Sequence, residues 1–253
     1  MVHFVGAGPG AEDLITVRGK ELIQRADVII YAGSLVNPGL LKFAKKTCRI
    51  HDSAKMTLDE VIEVMKESSD MGKEIVRLHT GDPSIYGAIR EQMDALDELG
   101  ISYDVTPGVS SFCGAAAALN LEYTLPSVSQ SVIITRMDKR TAVPEKESLE
   151  ALSAHEATMV FFLSAGDVKK LSERLILAGR SGDTPCAIVY KATWPDEKKC
   201  RCSLKTLPDV ARENGIEKTA LIIVGDVVEP LKYDKSKLYD PGFTTGFRKG
   251  TDI

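Results

Sequence analysis

The feature that most constrains this chain is an alternation that starts at its second residue: short β-branched runs, each followed by a stretch with helical spacing. The runs Val2–Val5, Val28–Tyr31, Cys48–Ile50, Ile75–Leu78 and Tyr103–Val105 have strand length, and the stretches between them leave room for crossover helices. Strands joined in this way pair in parallel, because the helix carries the chain back to the same end of the sheet before the next strand begins. Thr57 with Glu60 three residues on is a capping-box signal, and Leu58, Val61, Ile62 and Met65 follow as one apolar stripe. The small side chains from Ser111 to Leu119 predict a further helix that ends near Asn120.

Between Glu122 and Gln130 the periodicity disappears and Pro126 intervenes, which places a boundary there. Beyond it, strands are expected at Ser131–Thr135, Thr158–Leu163, Pro185–Tyr190, Lys199–Leu204 and Ala220–Val224, with helices near Glu145–Ser153, Val168–Ala178 and Pro208–Asn214. The strands around Tyr190 and Lys199 have no helix between them, so a hairpin in a mixed sheet is predicted. From Lys232 onward there is no apolar periodicity, and a polar tail with little apolar surface is expected. The expected architecture is α/β and two-lobed. Residues 1–120 form a lobe with a mainly parallel sheet, residues 121–231 a lobe with a mixed sheet and flanking helices, and residues 232–253 the tail. A chain of 253 residues with 43% hydrophobic content can supply two such cores.

The net charge of −4 creates no general positive field, so neither nucleic acid nor an anionic membrane is expected as a partner. No apolar run reaches the ~20 residues of a membrane span, and the first strand leads into a glycine-rich turn rather than a signal sequence; a soluble, cytoplasmic protein is expected. Cys48, Cys113, Cys186, Cys200 and Cys202 are an odd set, too sparse for a disulfide framework, and fit a reducing compartment. Cys200 and Cys202 lack a second thiol pair and are flanked by Lys198, Lys199 and Arg201. No metal site is expected there, and the two thiols are read as one face of a strand.

Three turns of small residues follow the first, fourth and fifth strands: Gly6-Ala7-Gly8-Pro9-Gly10-Ala11, His79-Thr80-Gly81-Asp82-Pro83-Ser84-Ile85-Tyr86-Gly87 and Thr106-Pro107-Gly108-Val109-Ser110-Ser111. In an open parallel sheet all three lie at the carboxyl edge, where ligands bind. The glycines are expected to let backbone approach a ligand closely. Asp82 is equally suited to cap a helix beginning at Pro83, and Ser110 one beginning near Ser111. The first turn formally satisfies a dinucleotide fingerprint, which keeps an NAD(P)-dependent oxidoreductase as an alternative. Pro9, however, removes an N–H that a pyrophosphate needs, and the second strand ends in Tyr31-Ala32-Gly33 without a ribose-binding carboxylate.

Taken together, GAGPG, the segment DLITVRG at Asp13–Gly19, HTGDPSIYG and TPGVSS, in this order and spacing, resemble the tetrapyrrole (corrin/porphyrin) methylase family. The second-half segments QSVIITR, RTAVPE, VYKATWPDE and ALIIVGDVV and the tail SKLYDPGFTTGFRKG resemble the members that methylate C-11 of precorrin-4 or cobalt-precorrin-4, in the synthesis of cobalamin. The resemblance covers almost the whole chain. It implies a homodimeric, two-lobed enzyme that holds S-adenosylmethionine between its lobes and releases S-adenosylhomocysteine. Carried over residue by residue, the cofactor contacts it implies are Pro9, Thr80, Gly81, Asp82, Ile85, Ser110, Ser111, Leu163, Ala192, Thr219 and Ala220.

Methyl transfer from a sulfonium to an electron-rich ring carbon needs alignment more than acid–base machinery, since holding donor and acceptor in near-attack geometry supplies ~7–11 kcal/mol. The candidates for positioning or proton transfer are Tyr86, expected on a helix beginning at the pocket edge, and His79, at the end of its strand. A substrate with several carboxylates calls for Arg and Lys. Arg136, Lys139 and Arg140 after a strand end, Lys191, and Arg248 with Lys249 are the substrate-binding candidates. Other tetrapyrrole methylases, such as the uroporphyrinogen III enzyme, and a non-catalytic tetrapyrrole carrier stay open as alternatives.

Overall fold

Each of the ten expected strands forms, three of them with the expected bounds and the others with ends shifted by one or two residues, in the computed structural model, which describes residues 1–138 and 142–251. The chain divides into one unit of Met1–Ala117 with Lys191–Glu197 and another of Ala118–Tyr190 with Lys198–Ile253.

In the first unit, β1 (Val2–Gly6), β2 (Val28–Tyr31), β3 (Arg49–Asp52), β4 (Ile75–His79) and β5 (Tyr103–Thr106) form a five-stranded sheet in the order β3-β2-β4-β1-β5. Every pairing is parallel. The central strands are buried on both faces, which is why they read as unbroken apolar runs. Val5, Ile29, Val76 and Leu78 pack with Leu22 and Ile23 of α1 (Val17–Arg25) on one face. On the other, Phe4, Ile30 and Ile75 pack with Val61 and Met65 of α2 (Leu58–Asp70) and Leu96 of α3 (Arg90–Glu98). Thr16 caps α1 by accepting from Gly19 N, and the Thr57–Glu60 capping box of α2 forms as read. The helix α4 (Ser111–Leu119) has the expected bounds, and Asn120 ends it in the left-handed region.

The expected helix at Pro83 does not form. Residues 83–86 make a turn, 87–89 are irregular and α3 begins only at Arg90, because Tyr86 (φ 55°) and Ala88 (φ 49°) adopt left-handed conformations that no right-handed helix accommodates.

In the second unit, β6 (Val132–Arg136), β7 (Thr158–Phe162), β8 (Pro185–Tyr190), β9 (Lys198–Ser203) and β10 (Ala220–Val224) order as β6-β7-β10-β8-β9. Only β6 and β7 pair in parallel, so the sheet is mixed, and β8–β9 is the expected hairpin. Met159, Phe161, Ile188 and Ile222 pack with α6 (Val168–Leu177) and α7 (Leu207–Glu213), and Cys200 and Cys202 lie against that core. The helix expected near Glu145–Ser153 is broken by Ser148. A 3-10 turn Glu145–Glu147 precedes it, and α5 (Leu149–Ser153) follows with the Ser148 side chain as its cap.

The tail carries more apolar surface than its sequence pattern predicts, since Tyr233, Leu238, Tyr239, Phe243 and Phe247 are all exposed. Asp234 N donates to Pro126 O (3.2 Å), and Thr251 N to Pro241 O (2.9 Å). Among the described residues no helix is long and apolar enough to cross a membrane.

Candidate active site

Because β4, β1 and β5 are adjacent and in register, with Gly6 opposite His79 and Val5 opposite Thr106, the turns that follow them emerge side by side. They are joined to one another. Gly8 and Gly81 exchange both backbone hydrogen bonds (Gly81 N to Gly8 O 2.8 Å, Gly8 N to Gly81 O 3.2 Å), and Ala7 N donates to His79 O (2.7 Å). The Asp82 carboxylate accepts from Gly108 N (2.9 Å) and from Ser84 N (2.9 Å) and Oγ.

This changes the role of the glycines. A Cβ on Gly6 would lie 2.6 Å from Gly108 Cα and 2.7 Å from Gly81 O, so the close approach is of backbone to backbone rather than of backbone to ligand. At Gly81 the φ of +59° strains any residue with a side chain, and a Cβ there would lie tightly, 3.3 Å from Ser111 N. A valine there would disturb the turns themselves and not only a ligand.

The first turn is likewise occupied by its own chain. Ala7 N and Gly8 N bind the neighbouring turn, Pro9 has no N–H, and Ala11 N donates to Thr193 Oγ1 (2.9 Å). A pyrophosphate would find few amide donors here, which removes the physical basis for the NAD(P) alternative. The segments Gly6–Ala11, Thr80–Tyr86 and Thr106–Ser111 contain no Lys or Arg and one carboxylate, Asp82. Burial works against ionising Asp82, but the bonds from Ser84 and Gly108 outweigh it and hold its carboxyl below the ordinary 3.8. Its stabilising bonds are therefore present above that value and lost as pH falls through the lower folded pKa. We expect the urea midpoint of the wild type to fall more steeply below pH 3.8 than that of Asp82→Asn. Equal slopes would show that the carboxylate is not held ionised by these donors.

His79 does not suit proton transfer. Its ring is buried against Phe4 (centroids 6.0 Å apart), and Nε2 has no hydrogen-bond partner. Burial, reinforced by the nearby Arg77 charge, pushes its pKa down to about 3, so it stays neutral at ordinary pH. Arg77 is itself buried, which lowers its pKa to about 10. Its Nε donates to Gln92 Oε1 (3.0 Å), and Gln92 Nε2 donates to Ala88 O (2.8 Å), so a buried cation ties down the turn that carries Tyr86. Tyr86 is 45% exposed on that turn, rather than at the start of a helix.

The other assigned residues are distributed as follows. Pro9, Gly81 and Ser110 are buried in the first unit, with Thr80, Asp82, Ile85 and Ser111 partly exposed. Ala192 is buried in the same unit, on the Lys191–Glu197 turn. In the second unit Leu163 follows β7 and is 62% exposed, while Thr219 leads into buried Ala220 at the start of β10. Arg136 ends β6 and donates to Met137 O and Ala142 O (both 3.3 Å). Lys191 pairs with Asp196 (2.6 Å), and Arg248 donates to the tail carbonyls of Leu238 and Asp240, leaving Lys249 exposed. Lys139 and Arg140 lie outside the described residues.

One signal independent of any resemblance marks this set. Nine described non-glycine residues have positive φ, and Tyr86, Leu163, Lys191 and Thr219 are four of them. Such conformations are costly and concentrate at functional sites. Thr193 (φ 68°), with Trp194 and Asn37, forms part of the site's frame that sequence reading missed, because its partners are distant in the chain. A cleft of about 950 Å³ in the second unit, lined by Arg180, Asp183, Asp226 and Glu229, contains none of the assigned residues. Among the described residues no group of three or more His, Cys, Asp or Glu side chains could hold a metal ion.

Comparison with known proteins bears on the family and the fold. Residues 1–208 match the family described as Tetrapyrrole (Corrin/Porphyrin) Methylases. The chain is 53% identical over 248 residues to a cobalt-precorrin-4 C(11)-methyltransferase of Methanocaldococcus jannaschii, covering 98% of this chain and 96% of that protein. It is 48% identical over 252 residues to the protein of the same name from Priestia megaterium, with 98% of each covered. Among solved structures, that of a cobalamin biosynthetic enzyme, cobalt precorrin-4 methyltransferase, superposes with a TM-score of 0.88 at 47% identity, covering 90% of this chain and 96% of that one.

Proposed function

Since this chain belongs to the tetrapyrrole (corrin/porphyrin) methylase family, we propose that it transfers a methyl group from S-adenosylmethionine to C-11 of precorrin-4, with or without cobalt, giving the corresponding precorrin-5. The observation that carries this is the 53% identity, over 98% of the chain, to an enzyme named for that reaction. The donor set of the turns supports it. An edge where the amides of Ala7, Gly8, Ala11, Gly81 and Gly108 are already bonded, and whose single charged group is an ionised carboxylate, suits a cationic sulfonium and repels a phosphate.

When bound, S-adenosylmethionine supplies a methyl carbon whose bond to sulfur breaks as its bond to the ring carbon forms, the sulfur keeping the electron pair as a neutral thioether. The chain's own task is alignment. Pro9, Thr80, Gly81, Asp82, Ile85, Ser110, Ser111 and Ala192 of the first unit, and Leu163, Thr219 and Ala220 of the second, are assigned to the donor. Tyr86, on its restrained turn, is assigned to orienting the acceptor, and Arg136, Arg140, Lys191, Arg248 and Lys249 to its carboxylates. For Arg248 this requires exchanging the tail carbonyls for substrate. A homodimeric assembly and a cytoplasmic location complete the proposal on the family resemblance.

The test is incubation with labelled S-adenosylmethionine and each precorrin intermediate, with and without cobalt, followed by mass spectrometry and NMR location of the new methyl group. One methyl on C-11 of precorrin-4 or its cobalt form is expected. Transfer to another carbon, or none to any intermediate, would overturn the assignment.

A further inference from the structure

The turn Lys191–Glu197 connects β8 to β9, yet it belongs to the first unit, where it grips the glycine turn after β1. Thr193 Oγ1 accepts from Ala11 N (2.9 Å), and the Trp194 indole N–H donates to Pro9 O (3.1 Å). Asn37 Nδ2 donates to Gly10 O (2.9 Å), so side chains capture the backbone of three consecutive residues. Gly10 has no room for a side chain, because a Cβ there would run into the edge of the Trp194 ring and lie 2.9 Å from Ala192 O.

The gripping turn is itself fixed. Thr193 N donates to Glu197 Oε2 (2.7 Å) and Trp194 N to Lys191 O (3.0 Å), while the Lys191 ammonium pairs with Asp196 (2.6 Å) and sits 5.3 Å from the Trp194 ring centroid. Thr193 is β-branched and held at φ 68°, a conformation that persists only where surrounding contacts enforce it. A hairpin connection needs none of this to reverse direction.

We propose that Thr193 and Trp194 are positioning residues that hold Pro9–Ala11 in the shape that receives the methyl donor. The proposal rests on the methyltransferase reading above. It gives the ATWPDE segment a second task beside the contact assigned to Ala192, and it explains why a first-half glycine turn depends on a second-half motif.

Thr193→Val removes one gripping hydrogen bond while keeping shape, Trp194→Phe removes the other together with the ring edge that faces Gly10, and Thr193→Ser restores the oxygen. Loss of one such bond should raise the Kd of S-adenosylhomocysteine by about three- to tenfold. Thr193→Ser should stay within about twofold of wild type. At saturating donor, kcat and the tetrapyrrole KM should be close to wild type, and hydrogen exchange at the Ala11 amide should accelerate in Thr193→Val. Unchanged Kd in both variants, or a Kd that rises only in step with a falling melting temperature and is not rescued by serine, would overturn the positioning role. Unchanged Ala11 exchange would show that the grip does not exist in solution. A wild-type protein that neither binds S-adenosylhomocysteine nor transfers methyl would sink the parent reading, and the exchange data would still report separately on the grip.

Discussion

Replacing Gly108 with alanine should destabilise the first unit by about 3 kcal/mol or more and abolish methyl transfer. The added Cβ would be driven into Gly81 O and would lie 2.8 Å from Gly6 Cα. Both obstacles are backbone atoms of adjacent turns, so no rotamer change relieves the clash. The turns must separate, which breaks the bond from Gly108 N to Asp82 and strains the reciprocal Gly8–Gly81 pair. Overpacking alone typically costs about 1–3 kcal/mol, and a hydrogen bond to a charged group contributes about 1.5–3. The stiffer unfolded chain of the alanine variant offsets only about 0.4–1 kcal/mol. Gly72→Ala is the control, because a Cβ there meets nothing within 4 Å and its cost is only that of φ +66°. Urea unfolding and S-adenosylhomocysteine calorimetry would read both. If Gly108→Ala were no worse than Gly72→Ala, the three turns would not be the fused unit described above.

Acid should weaken the fold well before its carboxylates are protonated, and His79 should be the cause. In the unfolded chain this imidazole takes up a proton near pH 6.5, whereas in the folded protein it resists until about 3. The stability due to keeping it neutral is therefore complete above pH 6.5 and is lost progressively as pH falls towards 3. The total is on the order of 4–5 kcal/mol, a large share of a typical domain's stability. His79→Gln cannot take up the proton, and its unfolding free energy should change much less between pH 7 and pH 4. Any contribution from the remaining histidines is common to both proteins and cancels in the comparison. Parallel pH profiles would mean that His79 is solvated and protonated in the native state, and would reopen its candidacy as a proton carrier.

What the amino-acid order determined by itself was everything set by near neighbours. Apolar period and β-branching placed all ten strands, the Thr57–Glu60 spacing placed a helix start, and the absence of a helix between Tyr190 and Lys199 placed the hairpin. The parallel order of the first sheet then required the glycine turns to share one edge. Tertiary structure decided the conformation and bonding of those turns. The helix expected at Pro83 failed because Tyr86 and Ala88 take left-handed conformations above a buried Arg77–Gln92 bridge. The glycines appeared to await a ligand, but Gly6 and Gly108 are small because they face each other, and Gly10 because it faces Trp194. These partners lie far apart in the chain: 26 residues from Asp82 to Gly108 and 185 from Pro9 to Trp194. Local propensity is worth a few tenths of a kcal/mol per residue, while a buried hydrogen bond or a backbone clash is worth one to several, roughly. Wherever the two compete, as they do throughout this site, the distant contact decides the backbone, and a pattern read along the chain cannot register it.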